Sequence, residues 1–180
     1  ELLDRFDAKY SFVGNDGPLF YFTTDLDAPM SRVVAIDVTR PGRESWRETI
    51  PEAADALQGV SLVHDRFIAS YMHDAHSSVK VIDKSGTVVR DIDLPGLGTA
   101  VGFRGRETDS ETFYLFTGFT TPGTVYRHDM EAGLSTVFRS PRLNFDPDSY
   151  VTEQVFYRSK DGTRVPMFVS HKRGVKRNGS

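Results

Sequence analysis

The sequence predicts an all-β chain: a partial β-propeller of about three four-stranded antiparallel blades. Three observations carry this reading. Runs rich in β-formers close on Asp37, Asp83 and Asp129, which lie 46 residues apart. A Phe-led apolar run precedes each of them, and Phe20, Phe67 and Phe113 are spaced by 47 and then 46 residues. Long stretches with helical periodicity are missing. Four short strands in a unit of this length make a propeller blade, and propellers carry about four to eight of them.

Within each unit a first strand is expected at 10–14, 59–63 and 99–103, and the Phe-led second strand at 20–24, 67–72 and 113–117. The third covers 32–37, 78–83 and 124–129, where Val33, Val79 and Val125 keep the 46-residue interval. A turn glycine follows each aspartate (Gly42, Gly86, Gly133), and a weaker strand closes the unit at 46–50, 87–92 and 134–139. Val, Ile, Phe and Tyr suit a pleated, half-buried surface, while Gly, Pro, Asn and Asp supply the joints. A single helical turn is expected at 51–57, where Pro51 fits the first helical position.

The first strand of a propeller blade lies nearest the axis. There Gly59-Val60-Ser61 and Gly98-Thr99-Ala100-Val101-Gly102 are small-residue stretches that let backbones approach closely. They line a central tunnel or simply pack tightly, and the two readings are compatible. Three blades cannot close a ring, and two apolar blade faces would be left without neighbours. The chain therefore reads as an arc of a larger propeller, expected to be poorly soluble if expressed alone. The competing fold is a sandwich of twelve short strands, which the regular register disfavours.

Composition removes several functions. Basic and acidic residues number 22 and 25, for a net charge of -3, without the basic footprint of a nucleic-acid binder. Cysteine is absent, which excludes disulfides, thiolate metal sites and a cysteine nucleophile, and leaves cytoplasm and periplasm both open. No apolar run reaches the roughly 18 residues of a membrane span. Lys172, Arg173, Lys176 and Arg177 form a short basic cluster, read as a solvated segment. The N-terminus lacks a starting methionine, which suggests processing or truncation upstream.

Chemical motifs are few. G-x-S-x-G, H-E-x-x-H and the P-loop do not occur. His73 and His76 flank Asp74 with a spacing that could ligate a metal on a helix, but they fall at a strand end and its turn. Asp25 with Asp27 and Asp146 with Asp148 are close acidic pairs that offer too few ligands for a calcium loop. Gly102-Phe103-Arg104-Gly105 is a bare G-x-x-G without the helices of an RNA clamp. Asn178-Gly179-Ser180 fits the glycosylation pattern. No catalytic, cofactor-binding or metal-binding residue is assigned, and no cofactor is implied.

The last thirty residues break the repeat. After a Pro/Asp-rich joint at 140–149, two β-rich runs at 155–159 and 163–169 flank Lys160-Asp161-Gly162, a strong hairpin signal. Pro166 places its strand at an edge or bulge. The run Glu153-Gln154-Val155-Phe156-Tyr157-Arg158-Ser159-Lys160-Asp161-Gly162-Thr163-Arg164-Val165-Pro166-Met167-Phe168 closely resembles the junction between propeller and catalytic domain in the prolyl oligopeptidases (prolyl endopeptidases). His171-Lys172-Arg173-Gly174 continues the likeness. Upstream, Phe12-Val13-Gly14-Asn15-Asp16-Gly17, Tyr71-Met72-His73-Asp74, Phe113-Tyr114 and Pro122-Gly123 with Tyr126 resemble the family's later blades.

The resemblance implies a seven-bladed propeller, of which residues 1–149 supply the last blades, and an α/β-hydrolase domain opened by the hairpin of residues 150–180. It implies a serine endopeptidase that cleaves short peptides after proline, with the propeller as lid and size filter. The Ser-Asp-His triad would lie downstream of Ser180, so the 180-residue segment alone should be inactive. Its partners would be the remaining blades and the hydrolase domain of the same polypeptide, with short proline-containing peptides as substrate. A non-catalytic propeller module that binds a protein or peptide, and a purely structural propeller segment, are the alternatives.

Overall fold

The computed structural model describes residues 2–176; Glu1 and residues 177–180, with Arg177 and the Asn178-Gly179-Ser180 pattern, lie outside the described residues. Four antiparallel sheets follow one another along the chain. The first runs β1 (Tyr10–Asp16), β2 (Leu19–Thr24), β3 (Arg32–Asp37), β4 (Arg47–Ile50). The second runs β5 (Ala56–Val63), β6 (Arg66–His73), β7 (His76–Ile82), β8 (Val88–Asp91). The third runs β9 (Gly98–Arg104), β10 (Glu111–Gly118), β11 (Thr124–Asp129), β12 (Ser135–Arg139). Neighbours in sequence are neighbours in each sheet, so each is a simple meander. A hairpin of β13 (Tyr150–Arg158) and β14 (Arg164–Lys172) follows.

The three meanders are the three expected blades, stacked face to face. Side chains alternate across each strand, so a middle blade must be apolar on both faces. In β6, Phe67, Ala69 and Tyr71 join Tyr21, Val33, Ala35 and Ile50 of the first blade in one core. Ile68 of the same strand joins Ala100, Phe103, Tyr114 and Phe116 of the third blade in a second core. Burying a ring such as Phe67, which is fully inaccessible, contributes about 1.5–3 kcal/mol. The first strands touch in succession, β1 against β5 and β5 against β9, so the blades fan about a shared line. A β-bulge interrupts the β1–β2, β5–β6 and β9–β10 pairings, adding the local twist that such a fan requires.

The outermost faces differ. Phe22, Val34 and Ile36 of the first blade are covered in part by Leu2 and Leu3 from the preceding segment. On the third blade, Val101, Phe113, Leu115 and Phe138 remain exposed, although Tyr114 and Phe116 between them are buried. Phe113 and Phe138 pack edge to face, with centroids 5.0 Å apart. Apolar residues on both faces of β10 are the pattern of a strand meant to be covered twice.

The 46-residue aspartates have a local cause. Asp37 accepts hydrogen bonds from the backbone N–H and hydroxyl of Thr39. Asp83 accepts from Ser85 and from the N–H of Thr87. Asp129 accepts from the N–H groups of Glu131 and Ala132. Each closes the turn between the third and fourth strands of its blade.

One expectation fails. Residues 51–57 form no helical turn: 51–53 are irregular, 54–55 bend, and β5 already begins at Ala56. The segment is held by distant partners instead. Glu52 Oε1 accepts from the N–H of Met30 at 2.6 Å, and Leu57 N–H donates to Met30 O at 2.9 Å. These bonds extend the chain as it crosses from the outer β4 to the inner β5, and a single turn cannot compete with them. Short 3-10 turns occur at Arg43–Ser45 and Pro147–Ser149. Among the described residues no helix is long and apolar enough to cross a membrane.

Candidate functional site

Meander topology sends the turns of each blade to two ends. The β2–β3, β6–β7 and β10–β11 turns share one end with the starts of the first strands. The β1–β2, β5–β6 and β9–β10 turns share the other. Between them, β5 and β9 border a groove of about 240 Å³ lined by Gly59, Ser61, Ala100 and Gly102, so residues of both small-residue stretches meet along the same groove between two blades. Gly102 has φ +121, and a Cβ there would sit 2.9 Å from Phe113 O. Phe103 follows with φ 55, and its carbonyl accepts the hydroxyl of Ser61. The G-x-x-G is thus a bulge of the first strand rather than a nucleic-acid clamp.

The hairpin β13–β14 seats on the first of these ends. Gln154 Nε2 donates to Asp74 O at 2.6 Å, and Arg164 Nη1 lies 3.3 Å from Asp74 Oδ2. The Arg164 guanidinium also stands over the Phe156 ring, 3.3 Å from its centroid. Phe168 packs on Phe119 of the β10–β11 turn, with centroids 5.2 Å apart. A cavity of about 310 Å³ opens between them, lined by Ala75, Thr99, Thr117, Phe119 and Phe168. Pro166 pairs opposite Phe156 in this isolated two-stranded ladder, where both strands are edges.

His73 and His76 belong to the same end. Asp74 and Ala75 between them have φ 43 and 69, a two-residue hairpin turn of primed type. His73 Nδ1 pairs with Asp55 at 2.9 Å, and its Nε2 lies 3.8 Å from Asp74. Among the described residues no group of three or more His, Asp or Glu could hold a metal ion. The acidic pairs serve local structure: Asp25 accepts from Lys9 N–H, and Asp146 caps the 3-10 turn by accepting from Asp148 N–H.

The opposite end converges on Lys84, in the β7–β8 turn. Its Nζ lies 3.0 Å from Asp16 and 3.2 Å from Glu107, and it also pairs with Asp65. Those acids sit in or beside the β1–β2, β5–β6 and β9–β10 turns, so one ammonium meets all three blades. Burial alone would lower the pKa of Lys84, but its bonds to Asp65, Asp16 and Glu107 raise it well above the ordinary lysine value.

Ser135 Oγ and His128 Nδ1 lie 3.0 Å apart, the spacing of a nucleophile and its base. His128 is fully buried, however, and its Nε2 has no hydrogen-bond partner, so no carboxylate orients the ring. Burial, and secondly the Arg90 guanidinium, push its pKa down.

Sequence reasoning missed two features. The Asp74 contacts with the hairpin had no local signal, because their partners come from far along the chain. Lys84 had one: it follows a repeat aspartate at a position where the other units carry Val38 and Met130.

These features define a sector of a four-stranded-blade β-propeller with a following hairpin docked on its turns. Residues 1–141 match the prolyl oligopeptidase N-terminal β-propeller domain, and the chain belongs to the prolyl oligopeptidase family. It is 40% identical over 178 residues to the prolyl endopeptidase of Elizabethkingia meningoseptica, an alignment covering 99% of this chain and 25% of that protein. It is 33% identical over 186 residues to the dual function macrocyclase-peptidase POPB of Amanita bisporigera, covering 100% of this chain and 25% of that one. The apo structure of prolyl oligopeptidase B from Galerina marginata superposes with a TM-score of 0.89 at 29% identity, over 98% of this chain and 26% of that one. A structure from a mechanistic study of two prolyl endopeptidases gives a TM-score of 0.85 at 39% identity, over 97% and 26%. The chain thus spans about a quarter of the length of the curated relatives it matches.

Proposed function

We propose that this chain works as part of a proline-specific serine endopeptidase, in which its three blades act as lid and size filter over an active centre supplied elsewhere in the same polypeptide. The observation that carries this reading is the seat of the β13–β14 hairpin on the turn end of the blades, through Asp74, Arg164, Gln154, Phe119 and Phe168. In the proposed division, residues 1–149 belong to the propeller and residues 150–180 open an α/β-hydrolase domain. That domain would then stand at the end of the blade axis, where a peptide passing the groove beside β5 and β9 would arrive. Relatives named as prolyl endopeptidases support the chemistry.

Selection by such a cover is steric: a short flexible peptide passes and a folded chain does not, and opening of the cover gates turnover. The triad is proposed to lie outside this segment. A lone nucleophile without base and orienting acid keeps little of its advantage, so the isolated 180-residue chain is expected to be inactive.

The test is hydrolysis by the full-length polypeptide that contains this segment. Short fluorogenic peptides differing only in proline or alanine before the scissile bond should be cleaved with strong preference for proline. Equal cleavage of both, or none of either, would overturn the reading.

A further inference from the structure

We infer that Lys84 is a positioning residue that fixes the axial opening at the end of the arc away from the hairpin, and through it the size of peptide admitted. The inference rests on the peptidase reading above and adds a determinant of its selectivity.

The geometry supports a clamp. A lysine ammonium has three donors, and Lys84 faces three carboxylates, one from each blade: Asp16, Asp65 and Glu107. Each acid lies where an axis-side strand turns outward, β1 at Asp16, β5 before Asp65 and β9 before Glu107. Their separation therefore sets the gap between the tips of those strands. Two of these turns are also bonded to each other. His64 and Asp65 both have positive φ, at 51 and 56, and His64 N–H donates to Arg106 O across the blade boundary at 3.3 Å. Lys84 is mostly covered, with its side chain 22% exposed. Without its charge, three carboxylates would face one another and repel, and the tips would spread. With Lys84 in place the three blades are held as one sector at this end.

The experiment uses the full-length polypeptide carrying Lys84→Met or Lys84→Arg, beside the wild type. Two peptides are compared, a short fluorogenic one and a long one with a single internal proline, and amide exchange is followed at residues 14–19, 62–66 and 104–110. Lys84→Met should raise the long-to-short ratio of kcat/KM by about threefold or more, with turnover of the short peptide unchanged. It should also speed exchange at the three turns, and Lys84→Arg should restore both. Rising salt should move the wild-type ratio the same way, because the carboxylates are partly exposed and screenable. A Lys84→Met protein with wild-type melting temperature, ratio and exchange would overturn the inference, as would a wild-type ratio insensitive to salt. If the wild type cleaves neither peptide, the peptidase reading and the selecting role fall together, while exchange still decides whether Lys84 clamps the blades.

Discussion

Arg164 Nη1 stands 3.3 Å from Asp74 Oδ2, a contact between residues 90 positions apart. Together with Gln154 on the Asp74 carbonyl, it fastens the hairpin to a turn of the second blade. Asp74→Asn is the informative change, because Asn tolerates the positive φ of 43 while losing the charge. The pair is partly exposed, so the expected loss is about 0.2–1 kcal/mol. It should appear as faster amide exchange across β13 and β14, with the blade cores unaffected.

The repeat aspartates should be ranked by what they accept. Asp83→Ala removes three hydrogen bonds, and Asp37→Ala and Asp129→Ala remove two each. The melting temperature should fall most for Asp83. The side chain of Ser85 depresses the Asp83 carboxyl below its ordinary value of 3.8, with the Thr87 N–H next in size. A depressed carboxyl contributes stability above that ordinary value and loses it as pH falls through the folded one. The gap between wild type and Asp83→Ala should therefore close in acid below about pH 4.

His128 gives a second, milder acid sensitivity. Burial holds its imidazole neutral below the ordinary 6.5, assisted by Arg90 and opposed by Asp129. The unfolded chain takes up the proton first, so this stability is complete above about pH 6.5 and is lost toward the lower folded pKa. Thermal melts between about pH 7.5 and 5.5 should show the wild type losing stability relative to His128→Phe.

Phe67 is the keystone between the first two blades, fully buried and edge-on to Tyr21 at 4.9 Å. Phe67→Ala should cost about 3–5 kcal/mol in denaturant titration. Val88→Ala, on the exposed outer strand β8, should stay within about 0.5 kcal/mol.

The repeat was legible because blade geometry imposes itself locally. Asp37, Asp83 and Asp129 recur since each third strand ends in the same turn, and the Phe-led runs recur since each second strand carries apolar residues toward both faces of its blade. Strand limits were less legible. β5 begins at Ala56 rather than Gly59, and residues 51–57 extend instead of coiling, because Met30 supplies hydrogen bonds that no local pattern announces. The hairpin was legible from Asp161-Gly162, yet its seat was not, since Asp74 and Phe119 meet it only through the tertiary fold.

The most direct test is the experimental structure of the full-length polypeptide, read at the open face of the third blade. Val101, Phe113, Leu115 and Phe138 are exposed in this chain. The account predicts that a further four-stranded blade from elsewhere in the same polypeptide covers them, closing a ring whose axis leads to the hairpin end. Those four side chains left facing water, or covered by an element that is not a blade, would contradict it.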